Sequence, residues 1–289
     1  MAKQGIIALL TLLVTACATT PTADVEQMNA VYYWRTELRL DTAETNFISR
    51  HNVSRIYCRY FDVVMNDASG PVPHATISMP EHLATDAEIV PTVFIVEDCM
   101  HHSHDSLAQR IVNRIVQMNE THGVKGVKEI QIDCDYTRRS RETYYAFLDQ
   151  VRTEAQRHGM RLSTTIRLHQ LSMPPPPADE GVLMLYNTGD PARFMERNPI
   201  LDMRDVQPYL PHLADYDLQL CAAYPVFLWQ RDIHGVHVEH TVSGEEILEV
   251  KHAVERERND MRQRIVTYHL SEENINRYNT RTYEEIYRH

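Results

Sequence analysis

Short apolar runs alternate with longer amphipathic stretches along most of the chain, and the two periods define its elements. Val31 to Trp34 and Val53 to Val64 read as the first two strands, with a helical stripe of Ala43, Phe47 and Ile48 lying between Asp41 and His51. Thr92 to Val96, Glu129 to Thr137, Arg161 to Ile166, Gly181 to Asn187, Leu218 to Leu228 and Arg264 to Leu270 read as the remaining strands. Between them, Ser106 to Asn119 repeats Leu107, Ile111, Ile115 and Met118 at helical spacing, and Arg138 to His158 does the same with Tyr145, Leu148, Val151 and Ala155. Gly159 is placed to stop the second of these. Gly244 to Asp260 carries Ile247, Val250 and Val254 in register, and Thr282 with Glu285 predicts a capping box for a short final helix. After the second strand come Pro71, Pro73, Pro80 and Pro91, so the second helix is missing or irregular, with room for a short one at Glu81 to Ala87. Asp190 to Asp215 is weakly helical and broken by Pro199, Pro208 and Pro211.

Strands separated mostly by helices over about 240 residues predict a single (β/α)8 barrel of TIM type spanning residues 28–289, with a doubly wound open sheet as the alternative. In such a barrel the side chains at the C-terminal ends of the strands form the site. The most informative strand is Glu129 to Thr137. Ile130, Ile132 and Cys134 alternate with Gln131, Asp133 and Asp135, which gathers the polar groups on one face of a strand flanked by helices and buried on both sides. Asp133 and Asp135 then lie roughly 6 to 7 Å apart, near enough for one charge to raise the other's pKa. Asp135 is the candidate general acid/base, Asp133 the group that tunes it, and Arg167 a contact to the charge or the substrate. A structural pair, hydrogen-bonded to Arg or backbone amides, is the alternative. Hydrolysis between two carboxylates needs a partner about 5 Å away for retention or about 6.5 to 9.5 Å for inversion, for which Asp62, Asp98 and Asp232 are the candidates.

The other strand ends add aromatics. Trp34, Arg167, Tyr186, Asn187 and Trp229 make a candidate binding set, because a sugar presents hydroxyls to acids and amides and an apolar ring face to Trp or Tyr. Tyr32, Tyr33 and Trp34 read at least equally as core or barrel-packing aromatics, and Tyr144 and Tyr145, on a helix, as packing.

Three stretches carry a family resemblance. Asp133-Cys-Asp135-Tyr-Thr137, Met184-Leu-Tyr186-Asn187 and Ala223-Tyr-Pro225 resemble, in the same order, strands four, six and seven of the chitinase-like glycoside hydrolases. The mature chain is also similar to a bacterial secreted family of unknown function associated with those barrels. The chitinase resemblance implies that Asp133 and Asp135 match the family's two aspartates, that Tyr136 matches the aromatic after them, and that Tyr186 supports the reacting acetamido group. It also implies a proton-donating Glu where this chain has Thr137, an Asp where it has Asn187, and a Trp near Thr267 and Tyr268. A threonine cannot act as a general acid near neutral pH. Either Asp135 takes the acid role, making the protein a hydrolase acting on glycans, or the barrel binds glycans without cutting them.

A third chemistry, metal-dependent hydrolysis or deacetylation, would use His101, His102 and His104 with Glu97 and Asp98, although the spacing fits no helical zinc motif and a solvated loop is the simpler reading. Metal ligands are therefore not assigned and no cofactor is expected. Glycine is scarce, at 9 residues, and no phosphate-cradling loop occurs. A net charge of −11 with no Lys/Arg cluster argues against nucleic acid.

The first 17 residues pair Lys3 with an apolar run from Gly5 to Val14 and end in Val-Thr-Ala-Cys17, the pattern of a lipoprotein signal with Cys17 as the lipidated residue. Simple secretory cleavage near Ala18 is the alternative. Residues 18–27 read as a tether, and Ala18 after the cysteine favours the outer membrane, giving a membrane partner through the anchor. Cys58, Cys99, Cys134 and Cys221 each sit in or beside an apolar strand, where a free thiol behaves as a small hydrophobe; a disulfide is the alternative.

Overall fold

The computed structural model describes residues 27–80, 83, 85–233 and 235–289. The leader, Cys17 and the tether through residue 26 lie outside the described residues, as do three positions of the short helix expected at 81–87. The strands are β1 (Met28–Tyr33), β2 (Val53–Asn66), β3 (Gly70–His74), β4 (Glu88–Ile95), β5 (Glu129–Asp133), β6 (Arg161–Ile166), β7 (Glu180–Met184), β8 (Leu220–Pro225), β9 (Trp229–Ile233), β10 (Val236–His240) and β11 (Arg264–Tyr268). Parallel pairing runs β1-β11-β8-β7-β6-β5-β4-β2, and β2 pairs back to β1, which closes the barrel. Helices α1 (Thr42–Arg50), α2 (Leu107–Thr121), α3 (Arg141–Arg157), α4 (Met203–Val206), α5 (Gly244–Glu257), α6 (Glu272–Ile275) and α7 (Thr280–Ile286) accompany it.

Two apolar cores follow from the alternation. Outward residues such as Val31, Ile56, Val93, Ile132 and Ile166 pack under the helices, where α2 lays down Leu107, Ile111, Ile115 and Met118. Each such buried side chain contributes about 1.5–3 kcal/mol. Inward residues Ala30, Tyr32, Tyr57, Val90, Val182, Cys221 and Val266 fill the barrel. Polar inward residues are paired: Tyr32 donates to Gln131 at 2.9 Å, and Gln131 donates to Ser163 at 3.3 Å. At the N-terminal ends, Arg55 meets Glu129 at 3.2 Å and Arg264 meets Glu180 at 2.9 Å, forming a charged floor.

The described segment after β2 is not helical; β3 folds back antiparallel on β2 as an edge strand, where the missing N–H groups of Pro71 and Pro73 are tolerated. A second departure is the β9–β10 hairpin, which turns at Gly235 (φ +79) and extends the chain beyond the seventh barrel strand. The final helix is capped by Asn279, whose side chain accepts from the Thr282 N–H at 2.9 Å; Thr282 lies inside the helix and its expected box with Glu285 does not form. All four cysteines of the described residues are buried free thiols.

Candidate active site

The mouth is built where β5 and β6 end. Asp133, the last residue of β5, is 4% exposed and accepts from the Thr165 hydroxyl at 2.7 Å. Burial raises its carboxyl, and the Asp135 charge adds to this, taking the pKa to about 6 against the pull of Arg167 and Thr165. Asp135 lies one step outward with its side chain 48% exposed, and its two oxygens face the Nε and Nη2 of Arg167. Burial works against the Arg167 charge, but Asp135 overrides it and holds the guanidinium charged. Gln170 fixes this pair: its amide donates to the Tyr136 carbonyl at 2.9 Å and its oxygen accepts from the Arg167 N–H at 2.8 Å.

Above Asp135 opens a cleft of about 380 Å³ whose walls include Asp135, Arg167, Tyr186, Asn187, Tyr209 and Trp229. Five sequence candidates therefore meet in one place. Tyr186 stacks on Tyr268 at 4.5 Å, and Arg167 lies over its ring at 5.9 Å. Asn187 takes a left-handed φ of +53, a conformation asparagine adopts more readily than most residues. Trp229 is set by its hairpin, with Arg231 over its indole at 4.8 Å and Phe194 edge-on at 5.6 Å. Trp34 does not line this cleft; it packs against Tyr32 and Tyr268 and lies under Arg59 at 5.6 Å. Asp133 lies behind Asp135, outside the cleft wall.

The three candidate partner carboxylates are dispersed. Asp62 is turned inward because β2 carries a bulge at Tyr60, so that Tyr60 and Phe61 both face the outer core; its carboxylate is then clamped by Arg59. Asp98 faces His101 on the outer loop, and Asp232 pairs with His237 on the exposed hairpin. At position 137, Ser140 donates to Glu97 at 2.6 Å, and the Thr137 N–H donates to the same oxygen at 3.1 Å. Burial pulls the Glu97 carboxyl upward, yet these hydrogen bonds prevail and hold it below the usual range. Tyr136 points away from the mouth and stacks on Tyr144 at 4.8 Å. Among the described residues no three His, Cys, Asp or Glu side chains converge as a metal site. Tyr209 carries no sequence signal, because it sits in the proline-broken stretch whose pattern has no clear period.

No family model and no curated protein matches the chain. Solved structures do resemble it. A chitinase from Bacteroides thetaiotaomicron superposes with a TM-score of 0.58 at 10% identity, covering 90% of this chain and 96% of that one. For a chitinase from Chromobacterium violaceum the values are 0.57 and 11%, covering 90% and 98%. For the spore cortex-lytic enzyme SleL of Bacillus cereus they are 0.55 and 14%, covering 90% and 74%. The chain shares the chitinase-like barrel fold. At these identities the likeness is one of fold.

Proposed function

We propose that the barrel mouth binds a neutral glycan and does not cleave it. The observation that carries this reading is the Asp135–Arg167 pair. To deliver a proton, Asp135 would have to give up a bidentate partner, and Thr137 offers no substitute acid. Held as it is, Asp135 presents a fixed acceptor to sugar hydroxyls, while the aromatic side chains of Trp229 and Tyr209 line the same cleft. Solved chitinases and a cortex-lytic enzyme with this fold, bearing names that denote action on glycans, support the choice of ligand class.

Calorimetric titration with neutral oligosaccharides tests the reading: saturable binding that weakens tenfold or more in Trp229→Ala and Arg167→Ala is expected. Equal binding by wild type and both variants, or none by the wild type, would remove the cleft from consideration.

One observation favours a second reading. Burial and the Asp135 charge raise the Asp133 carboxyl to about 6, so in a hydrolase Asp133 would be the group that tunes Asp135, the carboxylate that lines the cleft. The leader pattern ending at Cys17 supports a further reading, a lipid-anchored protein of the cell envelope facing glycans of that compartment; labelling with a radioactive fatty acid, lost in Cys17→Ala, tests that placement.

A further inference from the structure

A second cleft, of about 480 Å³, lies between the loop after β4 and the outer side of α3, away from the barrel mouth. Its floor is apolar, made by Met100, Leu107 and Phe147, all buried. Its walls carry three imidazoles, of His101, His102 and His104, together with the hydroxyl of Thr143 and the amide of Gln150. The Nε2 of His104 is shielded from solvent and has no hydrogen-bond partner among the described residues. A buried polar atom left unpaired is uncommon in a native fold, and a group from outside the chain, water included, can complete the bond.

We propose that this cleft is a second saccharide-binding site for a neutral sugar. Three observations select that class. An apolar floor with donors and acceptors at its edge matches a sugar ring, which is apolar on one face and polar around its rim. No Lys or Arg lines the cleft, and its carboxylate, Glu142, is 79% exposed and paired with Arg141, so nothing there is built to neutralise an anion. The histidines do not converge with other ligands as a metal site.

The choice of a sugar rests on the glycan reading of the mouth; the existence of the site rests on the cleft and on His104. Glu97 opens the short helical turn Glu97–Met100 leading into the histidine loop, and its carboxylate accepts from Thr137 and Ser140 in the segment after β5.

The test is an NMR titration of the protein with a neutral tetrasaccharide, following the imidazole signals of the loop and the indole of Trp229 separately. Saturable imidazole shifts are expected in the wild type and in Trp229→Ala. In Ala146→Arg, which fills the cleft from an exposed helix position, they vanish while the indole shift persists. Gln150→Ala, also exposed, provides a variant that leaves the helix intact should the arginine disturb it, and weakening of the imidazole response by threefold or more is expected. Imidazole signals that never move, or that move with inorganic phosphate and not with the sugar, overturn the proposal. An indole shift without an imidazole shift defeats this inference alone; an imidazole shift without an indole shift defeats the mouth reading alone.

Discussion

The barrel holds acid–base pairs at both ends, and their surroundings give them different work. At the floor, Glu180 with Arg264 and Glu129 with Arg55 are nearly closed to solvent, and Glu129 is raised by burial and by the neighbouring Glu180 charge. At the mouth, the Arg167 side chain is 19% exposed while its partner Asp135 is almost half open. A closed pair can only hold the barrel together, since breaking it strands a charge without water. An open pair fixes the direction of a carboxylate and leaves its remaining lone pairs for something else.

This contrast predicts effects of decreasing size. Glu180→Ala leaves the Arg264 guanidinium buried and unpaired, and urea unfolding is expected to show a loss of about 3–5 kcal/mol. A loss below about 1 kcal/mol would mean that water already reaches the floor. Next comes Asp133, whose folded carboxyl is raised above its unfolded value of about 3.9. The native state therefore holds that proton more tightly, and the stability this supplies is complete below pH 4 and lost as pH rises toward about 6. Relative to Asp133→Asn, wild-type stability should fall across that window by on the order of 1–3 kcal/mol. A difference curve that rises instead would contradict the assignment. In ligand binding, Trp229→Ala is expected to cost tenfold or more, about 1.4 kcal/mol, and Trp34→Ala less than about threefold, because only the first indole lines the cleft. In folding stability Arg167→Met should stay within about 1 kcal/mol of wild type, because the carboxylate it leaves unpaired is almost half open to solvent.

Most of the barrel is legible in the sequence because its strands and helices keep their own periods. The eight parallel strands, α1, α2, α3 and α5 all fall where the pattern places them, and Gly159, at φ +71, follows α3 as expected. What is missed lies where the signal is short or interrupted. The β9–β10 hairpin is only 5 residues to a strand and largely exposed, so its alternation defines no core face. β3 hides behind Pro71 and Pro73, which weaken a strand signal, just as Pro91 hides the first half of β4, where the pattern starts the strand only at Thr92. For the site, spacing brings Asp133, Asp135 and Arg167 to one rim, but the bidentate contact that decides the role of Asp135 is made between side chains 32 residues apart. Alternation alone would leave Asp62 facing outward; the bulge at Tyr60 reverses it.

The central claim, that Asp135 is an anchored acceptor and not an acid, is tested most directly by incubating the protein with neutral oligosaccharides it binds and measuring newly formed reducing ends. The account predicts none above the rate with no protein, at any pH from 4 to about 8, the span across which Asp133 changes charge. Reducing ends that accumulate in proportion to protein, and that Asp135→Asn abolishes without loss of binding, would contradict it.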